Sequence, residues 1–220
     1  MKKFKFFNFL LFFVLFAIGN LITATPAKAD AILITMKGDR GTGHTSIISQ
    51  DENGEWHYFF WGDKKAFDDV VPEYAMKDIN SFNVWLLSKK LERPNIPSYY
   101  TRATYIYGDF TKSTQYYQEQ VKNHKTIGYY IMPNPCSVVS NQALNYGILS
   151  NGENFQDLID TNRGILDWLP FYDYFPVNLH NLVDRAIKGT EHEGPKDWGK
   201  VTHKKILGRI EHAGSGSSIV

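Results

Sequence analysis

Apolar and polar positions change period several times along this chain, and each change marks an element. Phe6 to Ile18 is apolar, rich in Phe and Leu, and broken only by Asn8. Ala31 to Met36 is a short apolar run of strand length. Lys37 to Gly43 is a glycine-rich loop without the Gly-Lys-Ser/Thr ending of a phosphate-binding loop. His44 to Ser49 predicts a second strand, Gln50 to Gly54 a turn with an Asn-Gly signal, and Glu55 to Trp61 the returning strand. The result is a hairpin with His44 at the start of its first strand. Gly43 before it permits close approach of a substrate or a backbone.

Phe67 to Asp78 reads as an irregular connection, and Ser81 to Ser88 as strand-like. Arg93 to Pro97 is a proline-punctuated loop, and Ala103 to Tyr107 another strand. Thr111 to Asn123 predicts a helix with Tyr116, Tyr117 and Val121 on one side. A further helix is expected after Asn134-Pro135-Cys136. Asn134 suits the N-cap, Pro135 the first helical position, and Gly147 the far cap. Leu166 to Phe175 is crowded with aromatics around Pro170, Val177 to Ile187 predicts a helix, and Glu191 to Gly199 is polar and turn-rich. Strands come first and the cysteine helix after, which indicates an α+β fold.

The apolar start belongs to a leader. Lys2, Lys3 and Lys5 precede the apolar run, and Ala27-Lys28-Ala29 is an A-x-A cleavage site, so residues 1–29 read as a signal peptide. An uncleaved anchor is the alternative, because the run approaches spanning length. Taking 29 residues from 220 leaves 191, enough for one compact domain. The leader carries four lysines and no acid, so the net charge of +1 falls to about −3 in the mature chain. That gives no case for a nucleic-acid partner. The expected location is the cell envelope, secreted or periplasmic, with membrane contact only if the leader is kept.

Cys136 is the one cysteine in the chain. Alone in an exported protein, it pairs with another chain, stays buried as a small hydrophobe, or reacts. At a helix start, unpaired backbone N–H groups and the helix dipole favour a thiolate. A thiolate so placed, with an imidazole brought to it from a strand, is a nucleophile with its base.

Gly43-His44-Thr45-Ser46-Ile47-Ile48, the aromatic return strand Trp56-His57-Tyr58-Phe59-Phe60-Trp61, and Asn134-Pro135-Cys136 follow one another in an order that resembles the circularly permuted NlpC-type papain-like superfamily. There the histidine strand precedes the cysteine helix. The return strand is similar to that of catalytic modules at the ends of some Rhs-type proteins. The resemblance spans roughly residues 31–150 and does not reach 151–220. It implies a permuted papain-like antiparallel sheet in a domain over residues 30–150, with Cys136 as nucleophile and His44 as general base. A third residue orients the histidine in such sites. Counting across the hairpin offers His57 or Tyr58, with His57 the better chemical choice. Tyr130, six residues before Cys136, is a candidate for an oxyanion hole beside the Cys136 N–H, against the plainer role of a packed aromatic.

The implied activity is hydrolysis of amide bonds through a Cys136 thioacyl intermediate, with a peptide or peptidoglycan-like substrate. Acyl transfer or thioester cleavage on lipids is the second enzyme reading, because permuted members include such enzymes. A secreted binding protein with an inert cysteine is the third. No cofactor and no metal are expected. Residues 151–220 form an extension expected to pack on the domain and supply specificity, with a flexible tail from about residue 213. Trp168 is expected in the core and Tyr172 nearer the cleft.

Overall fold

A computed structural model of the chain describes residues 28–37, 43–62, 65–90, 99–127, 135–164 and 175–199. Residues 1–27 of the expected signal peptide, Tyr130, Trp168, Tyr172 and the tail expected from about residue 213 lie outside those residues, whereas Ala29, its last residue, is described and buried.

Five antiparallel strands form the central sheet: β1 (Ala31–Lys37), β2 (Gly43–Gln50), β3 (Trp56–Trp61), β4 (Ala66–Val70) and β5 (Arg102–Ile106), in the order β4-β3-β2-β1-β5. The β2–β3 turn is closed by Asp51, whose Oδ1 accepts the N–H groups of Asn53 (2.9 Å) and Glu55 (2.8 Å). Gly54 completes it at φ 80°, a conformation that favours glycine. A short pair, β6 (Gly108–Asp109) with β7 (Ile148–Leu149), lies apart from the sheet. A Cβ on Gly108 would meet the Ile148 carbonyl oxygen at 2.3 Å, so only glycine allows that approach.

Five helices are described: α1 (Ile79–Lys90), α2 (Thr111–Ile127), α3 (Cys136–Leu144), α4 (Phe155–Thr161) and α5 (Pro176–Ile187). The fold is therefore mixed α+β. Side chains alternate across the sheet, as the strand period of two demands. Ala31, Leu33, Ile47, Phe59 and Trp61 face one core, shared with buried residues of α2, α3, α4 and α5. Ile32, Ile34, Ile48, Tyr58 and Phe60 face the other, under Ile79, Phe82, Trp85 and Leu86 of α1. Ser49 Oγ and Thr114 Oγ1 are 2.7 Å apart, and Thr114 Oγ1 also donates to the Gln50 carbonyl, so α2 is pinned to the end of β2.

Three expectations are corrected. Ser81–Ser88, read as strand-like, lies inside α1. Phe82, Trp85 and Leu86 are spaced i, i+3, i+4, and Asp78 Oδ1 accepts the Ser81 N–H at 2.7 Å, the work of a helix cap. Phe67–Asp78 is not an irregular connection throughout. It holds β4, paired with β3, and a 3-10 turn at Glu73–Lys77. Gly147 is not the cap of α3. Asn145 is, in a right-handed conformation, and Gly147 instead packs against the Phe110 ring, where a Cβ would come within 2.1 Å.

Candidate functional site

Cys136 is the first helical residue of α3. Pro135 takes the cap position, with extended backbone (φ −70°, ψ 164°). The sequence pattern therefore located the helix start to within one residue. The thiol is 2% exposed and joins the α2–α5 side of the core. Its Sγ accepts the Thr45 N–H at 3.5 Å, which seats the helix end directly on β2. Burial pushes the thiol up to about 11. The N–H groups of Thr45, Ser137 and Cys136 itself oppose that shift without cancelling it. A depressed thiol was the expectation from the helix start, and desolvation outweighs it here.

His44 is the second residue of β2, and the alternation of the strand turns its ring to the opposite face from Thr45 and Ile47. There it stacks on Phe60 (centroids 4.9 Å, 29°), and its Nε2 is 3.1 Å from Ser46 Oγ. Cys136 packs in the core on the other face, and among the described residues no hydrogen bond joins the imidazole to the thiol. Burial lowers His44 to about 4, so the ring is neutral near pH 7.

Of the two candidates for the third residue, Tyr58 shares the His44 face. Its hydroxyl is 2.8 Å from that of Tyr100, and burial pushes both phenols up, with the nearby Ser46 side chain opposing that shift. His57 is misplaced for that role. It pairs across β2 with Ser49, five residues from His44, or about 16 Å along the strand. Its neighbours are Asp51 and Asp68. The longer hairpin turn made the register unreadable from sequence, and one residue of register reverses the face.

On the Cys136 side, a buried polar chain runs across the sheet. Thr45 and Thr35 hydroxyls are 3.2 Å apart, Thr35 Oγ1 is 2.7 Å from His180 Nδ1, and His180 Nε2 is 2.9 Å from Thr104 Oγ1. Asp184 receives Thr104 and Arg102 at the far end. Hydrogen bonds and charge from His180, Thr104 and Arg102 hold the Asp184 carboxyl well below the usual range, although burial alone would raise it. Sequence reasoning found no partner for His180. Its spacing of four from Asp184 was the available signal, since both fall on one face of a helix. Tyr117 was read only as part of an apolar helix face. Its phenol is driven up, chiefly by burial and further by the neighbouring Cys136, while Ser140 opposes the shift.

A cavity of about 240 Å³ lies along the outer edge of β5, lined by Arg102, Thr104, Asp184, Lys188, Lys196 and Trp198 among others, and Cys136 is not part of its wall. Among the described residues, no helix is long and apolar enough to cross a membrane. Comparison with protein-family models, with curated proteins and with solved structures finds no match for this chain.

Proposed function

We propose that the chain is an exported thiol hydrolase of the permuted papain-like type. It cleaves amide bonds, with peptide or peptidoglycan-like chains as substrates, Cys136 as nucleophile and His44 as base. One observation carries this reading: the N–H that reaches the Cys136 sulfur is that of Thr45, the residue after His44. The His44 Cα is two bonds from that nitrogen, about 2.4 Å by standard backbone dimensions, and hence within about 6 Å of the sulfur. For the ring to reach the thiol, the end of β2 at Gly43 and His44, paired with Lys37 and Met36 of β1, must reorient. The ring is neutral and able to take a proton; the thiol is neutral and able to give one.

His44 takes the thiol proton as sulfur attacks the carbonyl carbon and the C–S bond forms. The imidazolium gives that proton to the leaving nitrogen as the C–N bond breaks. Water, deprotonated by the imidazole, splits the thioester and restores the thiol. The Cys136 N–H, at the start of a helix, is the group available to the oxyanion.

Release of amino groups from peptide and muropeptide digests is the test, with product analysis separating amide cleavage from acyl transfer to lipid. Turnover is expected in the wild type and lost in Cys136→Ser and His44→Ala. A second reading has a specific observation behind it: a thiol 2% exposed and raised to about 11 is a core residue first. Absence of turnover, together with a lowered melting temperature in Cys136→Ala, would favour a secreted binding protein in which the cysteine only packs the core.

A further inference from the structure

His57 is 7% exposed, and neither of its ring nitrogens makes a hydrogen bond. Nδ1 is 3.6 Å from Asp68 Oδ2 on β4, and Nε2 is 3.7 Å from Asp51 Oδ2 at the start of the turn. Both distances exceed a hydrogen bond. A buried imidazole without either bond costs free energy, so its surroundings require an explanation. Two carboxylates flank the ring, and a third is close: ligand atoms of Asp51, Glu55 and His57 all lie within 4.8 Å of one another.

We propose that Asp51, Glu55 and His57 bind one divalent first-row cation, Zn²⁺ by preference, with Asp68 as the positioning residue for the His57 ring. Metal–ligand bonds of about 2.1 Å in a tetrahedral site set ligands about 3.4 Å apart, close to the Nε2–Oδ2 separation of 3.7 Å. A separation too long for a hydrogen bond is therefore near the edge of a coordination polyhedron. The turn prepares the carboxylate. Asp51 Oδ1 is held by the N–H groups of Asn53 and Glu55, which leaves Oδ2 facing His57, with Asn53 Nδ2 on it at 3.2 Å. Asp68 beside Nδ1 favours the proton there, leaving the Nε2 lone pair for the metal. That carboxylate–imidazole–metal order is the usual outer support of a histidine ligand.

The donor set selects the ion. One imidazole nitrogen and two carboxylates suit Zn²⁺ and its neighbours, whereas Ca²⁺ and Mg²⁺ want oxygen throughout. Three carboxylates around one imidazole also make the pocket net negative. Glu55 is exposed and free to swing in, and water completes the shell. The site closes the β2–β3 turn onto β4, at the end of β2 away from His44. Its role is to hold the hairpin, and it stands apart from the thiol reading.

The mature full-length chain, stripped with chelator and desalted, is titrated with Zn²⁺ by calorimetry. One ion per chain is expected, with higher thermal stability when bound. Glu55→Gln, at an exposed position that cannot threaten the fold, should weaken binding at least tenfold. Asp51→Asn keeps the turn's acceptor and should weaken it about a hundredfold. Asp68→Asn should weaken binding about tenfold and shift its pH dependence, with recovery in Asp68→Glu. Co²⁺ in place of Zn²⁺ should give a visible spectrum without a thiolate charge-transfer band. The proposal is overturned by no binding in the wild type, by equal affinity in Glu55→Gln and Asp51→Asn, by a thiolate band marking Cys136 as the ligand, or by preference for Ca²⁺ or Mg²⁺ over Zn²⁺.

Discussion

The backbone N–H of Thr45 donates to the sulfur of Cys136 at 3.5 Å, joining residues 91 positions apart. That contact fixes the helix start on the sheet and holds the thiol under protein. It also sets the first expected outcome. Iodoacetamide labelling of the folded chain should climb with pH beyond the free-thiol reference of about 8.5, toward the value of about 11 set by burial. His44→Ala should leave that profile unchanged, because the resting ring faces the other way. A wild-type midpoint at or below about 8.5 that rises in His44→Ala would mean a resting thiolate–imidazolium pair, against the arrangement described here. The linkage has a definite sign. Above the unfolded thiol's pKa the unfolded chain loses a proton that the folded chain keeps, so this group lowers stability as pH rises through that window.

Asp184 gives the opposite slope. Its folded pKa lies below the unfolded one, so its contribution is full above the ordinary carboxylate value and lost as pH falls below it. Asp184→Asn should flatten the acid limb of the stability curve. It should also cost about 2–3 kcal/mol in urea unfolding, less than a fully buried pair because the carboxylate is 31% exposed. Removing Asp184 also leaves Arg102 and Thr104 short of a partner. An unchanged acid limb would show that the carboxylate is not held by these contacts.

Asn83 stands in for a strand. Its Nδ2 donates to the Tyr100 carbonyl at 2.9 Å, and its Oδ1 accepts the Tyr100 N–H at 2.7 Å. Both residues are fully buried. Asn83→Ala would strand two buried backbone groups at about 1–3 kcal/mol each, and a loss of roughly 2–4 kcal/mol is expected by denaturant unfolding. Asn83→Asp should do no better, because it keeps the acceptor and loses the donor. A change under about 0.5 kcal/mol in either variant would show that water replaces the side chain.

The hairpin, the last described helix and the cysteine helix were legible because each carries its own local signal. Gly54 marks the turn, the buried Leu179, Leu182, Val183, Ala186 and Ile187 mark α5, and Pro135 marks the start of α3. What was not legible depends on partners distant in sequence. β4 is a half-exposed edge strand whose pattern is weak without β3 beside it. The helix α1 hides its period in an eight-residue window rich in aromatics. The face taken by His44 depends on register, and neither glycine nor turn chemistry reports which way a strand's first side chain points. His180 was opaque for the same reason: Thr35 and Thr104 reach it across the sheet, and no local pattern announces them.

Ser46 and Phe60 hold His44 on the face away from the thiol, so they are the residues whose loss should favour the working arrangement. Ser46→Ala removes the 3.1 Å partner of Nε2, and Phe60→Leu removes the stacked ring. If His44 must leave these contacts to serve Cys136, each change lowers the cost of leaving. Amide hydrolysis and labelling at pH 7 should then rise severalfold in Ser46→Ala, at a stability cost of about 1 kcal/mol for the hydrogen bond. The double variant with His44→Ala should lose the gain in hydrolysis. The half-buried ring has its own pH signature. Its folded pKa of about 4 lies below the unfolded value near 6.5, so the wild type should lose stability as pH falls through that interval, and His44→Gln should not. Once turned toward the thiol and water, the ring should titrate nearer 6.5, which puts the acid limb of hydrolysis well above 4. Hydrolysis that falls in Ser46→Ala while the fold stays intact would mean that the Ser46 contact is itself the working one. His44 would then act from its present face, and not on Cys136.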